Sequence, residues 1–167
     1  MSVLQQTGRP VGVRLVLSQL QDGEAELESE LHLVAERHRT DHEIRHVAVD
    51  LARWSLQNRQ RLAALVEAEA PGPEDHSTLT SSLREKTAEL LGRRPEPGLL
   101  LLRDLRHLYL LAAGNSVLWT MLGQAAQASK DHELLEVVTE CHERTMRQTV
   151  WCNAMVKVLS PQVLTAR

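Results

Sequence analysis

Four stretches of the chain carry apolar residues at the three- and four-residue spacing of a helix that is buried on one face. They predict helices over residues 22–39, 41–70, 98–128 and 130–159. Asp22 and Gly23 offer a start for the first helix, and Pro161 a stop after the last. Thr40 and Glu43 match a capping box that opens the second. With no strand system in view, the pattern predicts an all-α fold.

The segments between and around these helices are consistent with a single domain. Residues 13–160 are expected to form one helical-bundle domain, with a flexible tail over residues 1–12 and a second tail over 161–167. Residues 71–97 have proline pairs at both ends and predict a crossover that carries one short helix near residues 80–91. Short loops make the first two helices antiparallel neighbours, and likewise the last two, while the crossover is long enough to join the two hairpins.

This order of helices and connections resembles the ferritin-like superfamily of antiparallel four-helix bundles, over about residues 18–160. Its di-iron members use one carboxylate from each of two helices and a Glu-x-x-His pair from each of the other two. Only Glu43 and His46 form such a pair here, and they lie in the first turn of the second helix instead of its centre. The resemblance therefore implies the fold without the di-iron ligand set, and fold analogy alone implies no activity.

The heptad positions that face the core are apolar toward both ends of three helices and polar halfway along. The polar residues are Ser55, Asn58, Asn115, Thr145 and Gln148. We predict that they form a buried hydrogen-bonded layer, in which neutral amides and hydroxyls stand where di-iron relatives hold carboxylates. The alternative is that some of these side chains point sideways into solvent. On the first interpretation the centre of the bundle carries no charge, and therefore cannot hold two cations.

Composition excludes several classes of protein. The 22 acidic and 19 basic residues give a net charge of −3, which disfavours a general nucleic-acid binder, and aromatic residues make up only 2%. Residues 108–128 carry no formal charge, but their amides and hydroxyls favour a buried helix over a membrane span. The first twenty residues lack the pattern of a signal peptide, and Cys141 and Cys152 are too far apart on one helix for a disulfide. These features predict a soluble cytoplasmic protein.

A histidine-rich stretch at the start of the second helix is the one candidate for metal chemistry. His42, Glu43 and His46 match the zinc-protease pattern, yet a third ligand and a sheet-lined cleft are missing. His38 and Asp50 extend the four-residue spacing, but a helix break at Thr40 takes His38 out of the stripe, and solvated polar residues at the end of a helical hairpin are the favoured explanation. We keep His42, Glu43 and His46 as the metal-site alternative, and we expect no catalytic residue and no cofactor.

The third helix has more apolar residues than one bundle core can cover, and they extend around more than one face. Leu99, Leu102, Leu110 and Val117 are the candidate interface residues for a homodimer or another protein partner. The sequence thus predicts a non-catalytic structural, regulatory or assembly module that acts through protein contacts. Two alternatives stay open: a metal-binding oxidoreductase or storage protein with an atypical site, and a small-molecule binder with an apolar cavity near Trp54 and Trp119.

Overall fold

The prediction of four helices is confirmed by the computed structural model, which describes residues 8–67 and 96–166. The helices are α1 (Val11–Arg37), α2 (His42–Glu67), α3 (Pro97–Ser129) and α4 (His132–Leu164). No strand occurs in these two ranges. Residues 71–95 of the predicted crossover, its short helix and the first seven residues lie outside them, whereas Pro97, the last residue predicted for the crossover, begins α3.

The helices pack as a square in which neighbours run antiparallel. α1 packs against α2 and α3, and α4 packs against α3 and α2, while the diagonal helices α1 and α4 meet in the interior through a hydrogen bond from Thr145 to Glu24. Arg37 near the end of α1 bonds to Asp104 near the start of α3, and Ser55 of α2 bonds to Gln148 of α4. Consequently α2 ends at one end of the bundle and α3 begins at the opposite end.

The interior consists of two apolar clusters with a polar level between them. One cluster is formed by buried residues that include Leu27, Leu31, Ile44, Leu51, Leu105, Leu108 and Cys152. The other includes Leu17, Leu20, Leu62, Trp119, Leu122, Leu134 and Cys141. On every helix the two sets are separated in sequence by about two to three turns, for example Leu20 from Leu27 on α1 and Cys141 from Cys152 on α4, and buried polar residues lie in that interval.

The predicted start of the first helix is wrong by eleven residues, because α1 begins at Val11 and Gly23 lies in its interior. Leu17 and Leu20 are almost fully buried in the second apolar cluster, so the tertiary core continues the helix past the glycine. The predicted tail is also too long: Arg9 donates to Asp131 Oδ2 at 2.7 Å and so ties the chain before α1 to the start of α4.

Two other predicted helix ends differ in detail. The predicted capping box is replaced by Asp41, whose side chain accepts the backbone N–H of Ile44 at 3.1 Å. α4 continues through Pro161 to Leu164, so the predicted stop and tail are wrong there. A proline in the last turn removes one backbone hydrogen bond, and a Cβ on Gly98 would lie 2.9 Å from Val163, which shows how closely this extra turn packs on α3.

Candidate functional site

The five predicted polar residues all lie in the interior, at the level between the apolar clusters. Ser55, Asn58 and Thr145 are 0% exposed, Gln148 is 1% and Asn115 is 4% exposed. They come from α2, α3 and α4 and are supported above and below by buried leucines of the two clusters. We call these five residues together with Glu24 of α1, described next, the polar layer.

Glu24 is the residue that the sequence interpretation missed, and it adds an ionisable carboxyl group to a centre that was expected to contain only amides and hydroxyls. Its side chain is 0% exposed, although a carboxyl group can ionise and is usually found at the surface. Its Oε1 accepts from Trp119 Nε1 at 3.1 Å, from Asn58 Nδ2 at 3.2 Å and from Thr145 Oγ1 at 3.2 Å. Each of the other three helices therefore contributes a donor to one oxygen of α1.

A second group of hydrogen bonds joins α4 to α2. Gln148 Nε2 donates to the backbone oxygen of Leu51 at 3.0 Å and to Ser55 Oγ at 2.9 Å. Arg144 Nη1 donates to Asn58 Oδ1 at 3.3 Å, and so connects the layer to the partly exposed edge of α4. The hydrogen bonds to Glu24 thus join side chains of all four helices, with Trp119 as the donor from α3, and the bond between Gln148 and Ser55 adds a second connection between α4 and α2.

Three buried polar atoms of the layer have no hydrogen-bond partner: Glu24 Oε2, Asn115 Nδ2 and Gln148 Oε1. A buried group without a partner costs roughly 1 to 3 kcal/mol, so each such atom calls for an explanation. Asn115 is additionally held against the backbone of α1, because a Cβ on Gly23 would lie 2.2 Å from its Oδ1. Gly23 is thus required for close approach of α1 and α3, and it does not mark the start of a helix.

Burial raises the pKa of Glu24 above the ordinary value of 4.5, and the hydrogen bonds from Trp119, Ser55, Asn58 and Thr145 oppose this effect only in part. The carboxyl group is therefore held closer to neutrality than an exposed glutamate. The two cysteine thiols are also held in their neutral, unreactive form. Burial raises the pKa of Cys141 and of Cys152 to about 12, and both are free.

The six residues of the layer have the helix distribution and spacing of a di-iron ligand set. Single residues come from α1 and α3, and pairs three residues apart come from α2 and α4, as in the Glu-x-x-His motif. The pairs are Ser55 with Asn58 and Thr145 with Gln148. The chemistry differs, since one carboxyl group and five neutral groups replace four carboxylates and two imidazoles. Neutral hydroxyls and amides are weak ligands for transition metals, so the set does not fit a pair of iron ions.

The predicted metal-site alternative is not assembled into a cluster. His42, Glu43 and His46 are exposed in the first turns of α2, where the two imidazole rings stack with centroids 6.3 Å apart. Across residues 8–67 and 96–166, no three His, Cys, Asp or Glu side chains are grouped so that they could hold a metal ion. His38, which extended the stripe in sequence, is 9% exposed and lies elsewhere.

His38 belongs to a buried charged cluster at the end of α1, which the sequence analysis did not predict. Its Nε2 lies 2.9 Å from Asp104 Oδ2, and Arg37 Nη1 donates to the same oxygen at 2.6 Å. Burial alone would raise the pKa of Asp104, but the hydrogen bonds from Arg37 and His38 outweigh it and hold the pKa below its ordinary value. The cluster fastens α1 to α3.

A groove of about 430 Å³ lies between α3 and α4, with Trp119 and Gly123 on its floor. Trp54 packs against the other apolar cluster, so the two tryptophans do not share a cavity. At the groove, Ser116 Oγ lies 2.9 Å from His142 Nε2, and burial lowers the pKa of His142. The pair does not make a hydrolase site, because Ser116 lies within α3, whose backbone N–H groups are taken up by the helix and cannot form an oxyanion hole.

The candidate interface residues lie on the outside of α3. Leu99, Leu110 and Val117 are 45%, 49% and 61% exposed, and Leu102 is half-buried. Met121, which the sequence analysis did not select, is 49% exposed and continues the line at helical spacing. Leu110, Val117 and Met121 form an outer apolar stripe on a part of α3 that has no charged residue.

Comparisons with profiles of known protein families, with curated proteins and with solved structures found no match to this chain. No helix in the described part of the chain combines the length and the apolar character that a membrane crossing requires.

Proposed function

We propose that this chain is a ferritin-like bundle without a di-iron centre, and that it acts in the cytoplasm as a non-catalytic structural, regulatory or assembly module. The observation that carries the proposal is the polar layer. It has the helix distribution and spacing of a di-iron ligand set, with a single carboxyl group, on Glu24. Such a layer holds helices in register, whereas it lacks the ligands and the charge that an oxygen-activating metal pair needs.

Metal analysis tests this part of the proposal. Protein purified without added metal is expected to contain iron, manganese and zinc far below one equivalent per chain by plasma mass spectrometry. Glu24 is the specific observation that favours the alternative, a metal-binding protein with an atypical site, because a buried carboxyl group can serve as a ligand. Near-stoichiometric metal in the wild type that Glu24→Gln abolishes would establish the alternative and refute the proposal.

The outer apolar stripe of α3 supports contact with another protein, and we propose a second copy of the chain as that partner. Leu110, Val117 and Met121 are each about half or more exposed, and residues 108–128 present no charge that would have to be desolvated in an interface. Two such stripes can pair around a twofold axis, because each offers the same apolar surface.

The dimer is tested by sedimentation at micromolar concentration, with Val117→Arg as the interface variant. Placing a charge in the middle of an apolar contact should weaken association by about 2 kcal/mol or more. Val158→Arg is the matched control, since Val158 is 55% exposed on α4 and lies off the stripe. A monomeric wild type, or equal weakening by both substitutions, would remove the basis for this interface.

A further inference from the structure

The hydrogen bonds to Glu24 come from neutral donors and reach one of its two oxygens. Its three donors lie at 3.1 to 3.2 Å from Oε1. The other oxygen, Oε2, is buried without a partner, so the negative charge of an ionised Glu24 would be only partly compensated.

The unpaired atoms of the polar layer lead to the same conclusion by counting donors and acceptors. If Glu24 is ionised, its Oε2 and Gln148 Oε1 are two buried acceptors, and Asn115 Nδ2 is the only donor left without a partner. One proton on Oε2 adds a donor to this set, which then contains two donors, Oε2–H and Asn115 Nδ2, and two acceptors, Gln148 Oε1 and the remaining lone pair of Oε2. Protonation thus matches donors to acceptors, whereas ionisation does not.

The charges around Glu24 do little to favour its ionised form. α3 has no charged residue over 108–128, and on α2 Arg59 and Arg61 bond to Glu28 and Glu140. α4 contributes Cys141, a neutral thiol, and Arg144, which bonds to Glu140 at 2.6 Å and reaches the layer only through Asn58. In the described part of the chain, no cationic side chain donates a hydrogen bond to Glu24.

We infer that Glu24 is a neutral carboxylic acid in the folded protein, and that loss of its proton is a pH-sensitive element built into the bundle core. The proton leaves to solvent, and the ionised carboxylate then remains in an apolar interior with one unpaired oxygen. The buried layer therefore acts as a site for one proton, and the stability of the helix packing depends on its occupancy.

The direction of the pH effect follows from the raised pKa of Glu24. Below the ordinary value of 4.5 the group is protonated in both the folded and the unfolded chain, so it adds no pH dependence. Above that value the unfolded chain ionises while the folded chain keeps its proton. The unfolding constant should rise by up to tenfold per pH unit until pH passes the pKa of the folded state, where the effect levels off.

Chemical denaturation of three proteins between about pH 5 and about pH 8 tests the inference. Glu24→Gln keeps the shape and a donor but cannot ionise, so the unfolding constant of the wild type should rise with pH relative to that of this variant. Glu26→Gln is the matched control, because Glu26 is exposed on the same helix, and it should run parallel to the wild type. If wild type and Glu24→Gln show parallel pH dependence, the inference is wrong.

A measurement on the wild type alone keeps the test decisive if Glu24→Gln does not fold. The folded protein at neutral pH should show the infrared C=O band of a protonated carboxylic acid, and the band should vanish on unfolding. In addition, the indole N–H resonance of Trp119, which bonds to Glu24, should move as the group titrates. Absence of the band at neutral pH would overturn the inference, whatever the oligomeric state or metal content of the protein.

Discussion

Replacing Gln148 with alanine tests whether the polar layer contributes to stability. Gln148 is 1% exposed and links α4 to α2 through the Leu51 backbone oxygen and the Ser55 hydroxyl. The substitution removes both hydrogen bonds and leaves a space in the interior, while the rest of the layer stays in place.

The expected loss can be worked from these contacts. Two hydrogen bonds contribute about 1 to 3 kcal/mol together, and the space left behind adds about 1 kcal/mol. Removing the unpaired Oε1 of Gln148 returns part of this cost. We therefore expect a net destabilisation of about 2 to 3 kcal/mol, measured as the free energy of unfolding in urea with helix content followed by circular dichroism.

Gln60→Ala is the matched control, since it makes the same chemical change at an exposed position of α2. It should change stability by less than about 0.5 kcal/mol. A double-mutant cycle of Gln148→Ala with Ser55→Ala should give a coupling energy, because the two side chains share a hydrogen bond of 2.9 Å. A loss below about 0.5 kcal/mol for Gln148→Ala, or additive effects in the cycle, would refute the reasoning.

Two further substitutions test the contacts between α1 and α3, both by urea denaturation. Gly23→Ala should destabilise by about 1 to 3 kcal/mol, because the new Cβ would lie 2.2 Å from Asn115 Oδ1. Gly114→Ala is the control and should stabilise by up to about 1 kcal/mol, because no atom lies within 4 Å of the Cβ it adds. Stabilisation by both substitutions would contradict the close approach of α1 and α3. Asp104→Asn should cost about 3 kcal/mol at neutral pH by leaving His38 and its neighbours without their charged partner. Because the folded state lowers the pKa of Asp104, the difference in unfolding free energy between wild type and Asp104→Asn should shrink as pH falls below the ordinary value of 3.8. A difference that stays constant with pH would show that the charge of Asp104 is not responsible.

Helix number, helix type and the position of five buried polar side chains follow from the heptad pattern alone. That pattern works because a bundle core demands apolar residues at every facing position, so polar residues there stand out. The ends of helices were predicted less well. α1 continues through Gly23 and α4 through Pro161, since packing on a neighbouring helix outweighs the local preference of one residue.

Glu24 was missed although the sequence contains its signal. Leu17, Leu20, Leu27 and Leu31 place it on the facing positions of one continuous heptad stripe. Reading Gly23 as a start cut this stripe in two, and the four alternating glutamates then looked like acids at a helix amino terminus. The charged cluster of Asp104 could not be found in this way, because it depends on which helix end meets α3.

The polar layer has a consequence for the specificity of the fold that its contribution to stability does not capture. All four helices present buried polar side chains at the same level near the middle of the bundle, with apolar clusters on both sides. Sliding α1 by one turn would bring Glu24 among leucines, and would leave Trp119 Nε1 without its acceptor. Each lost partner costs roughly 1 to 3 kcal/mol, so the shifted packing is disfavoured even though its apolar contacts are nearly equivalent. An apolar core of leucines would lack this discrimination, since one turn of leucines packs much like the next. The buried carboxyl group therefore fixes the register of four helices, and its sensitivity to pH is a direct result of using an ionisable residue for that purpose.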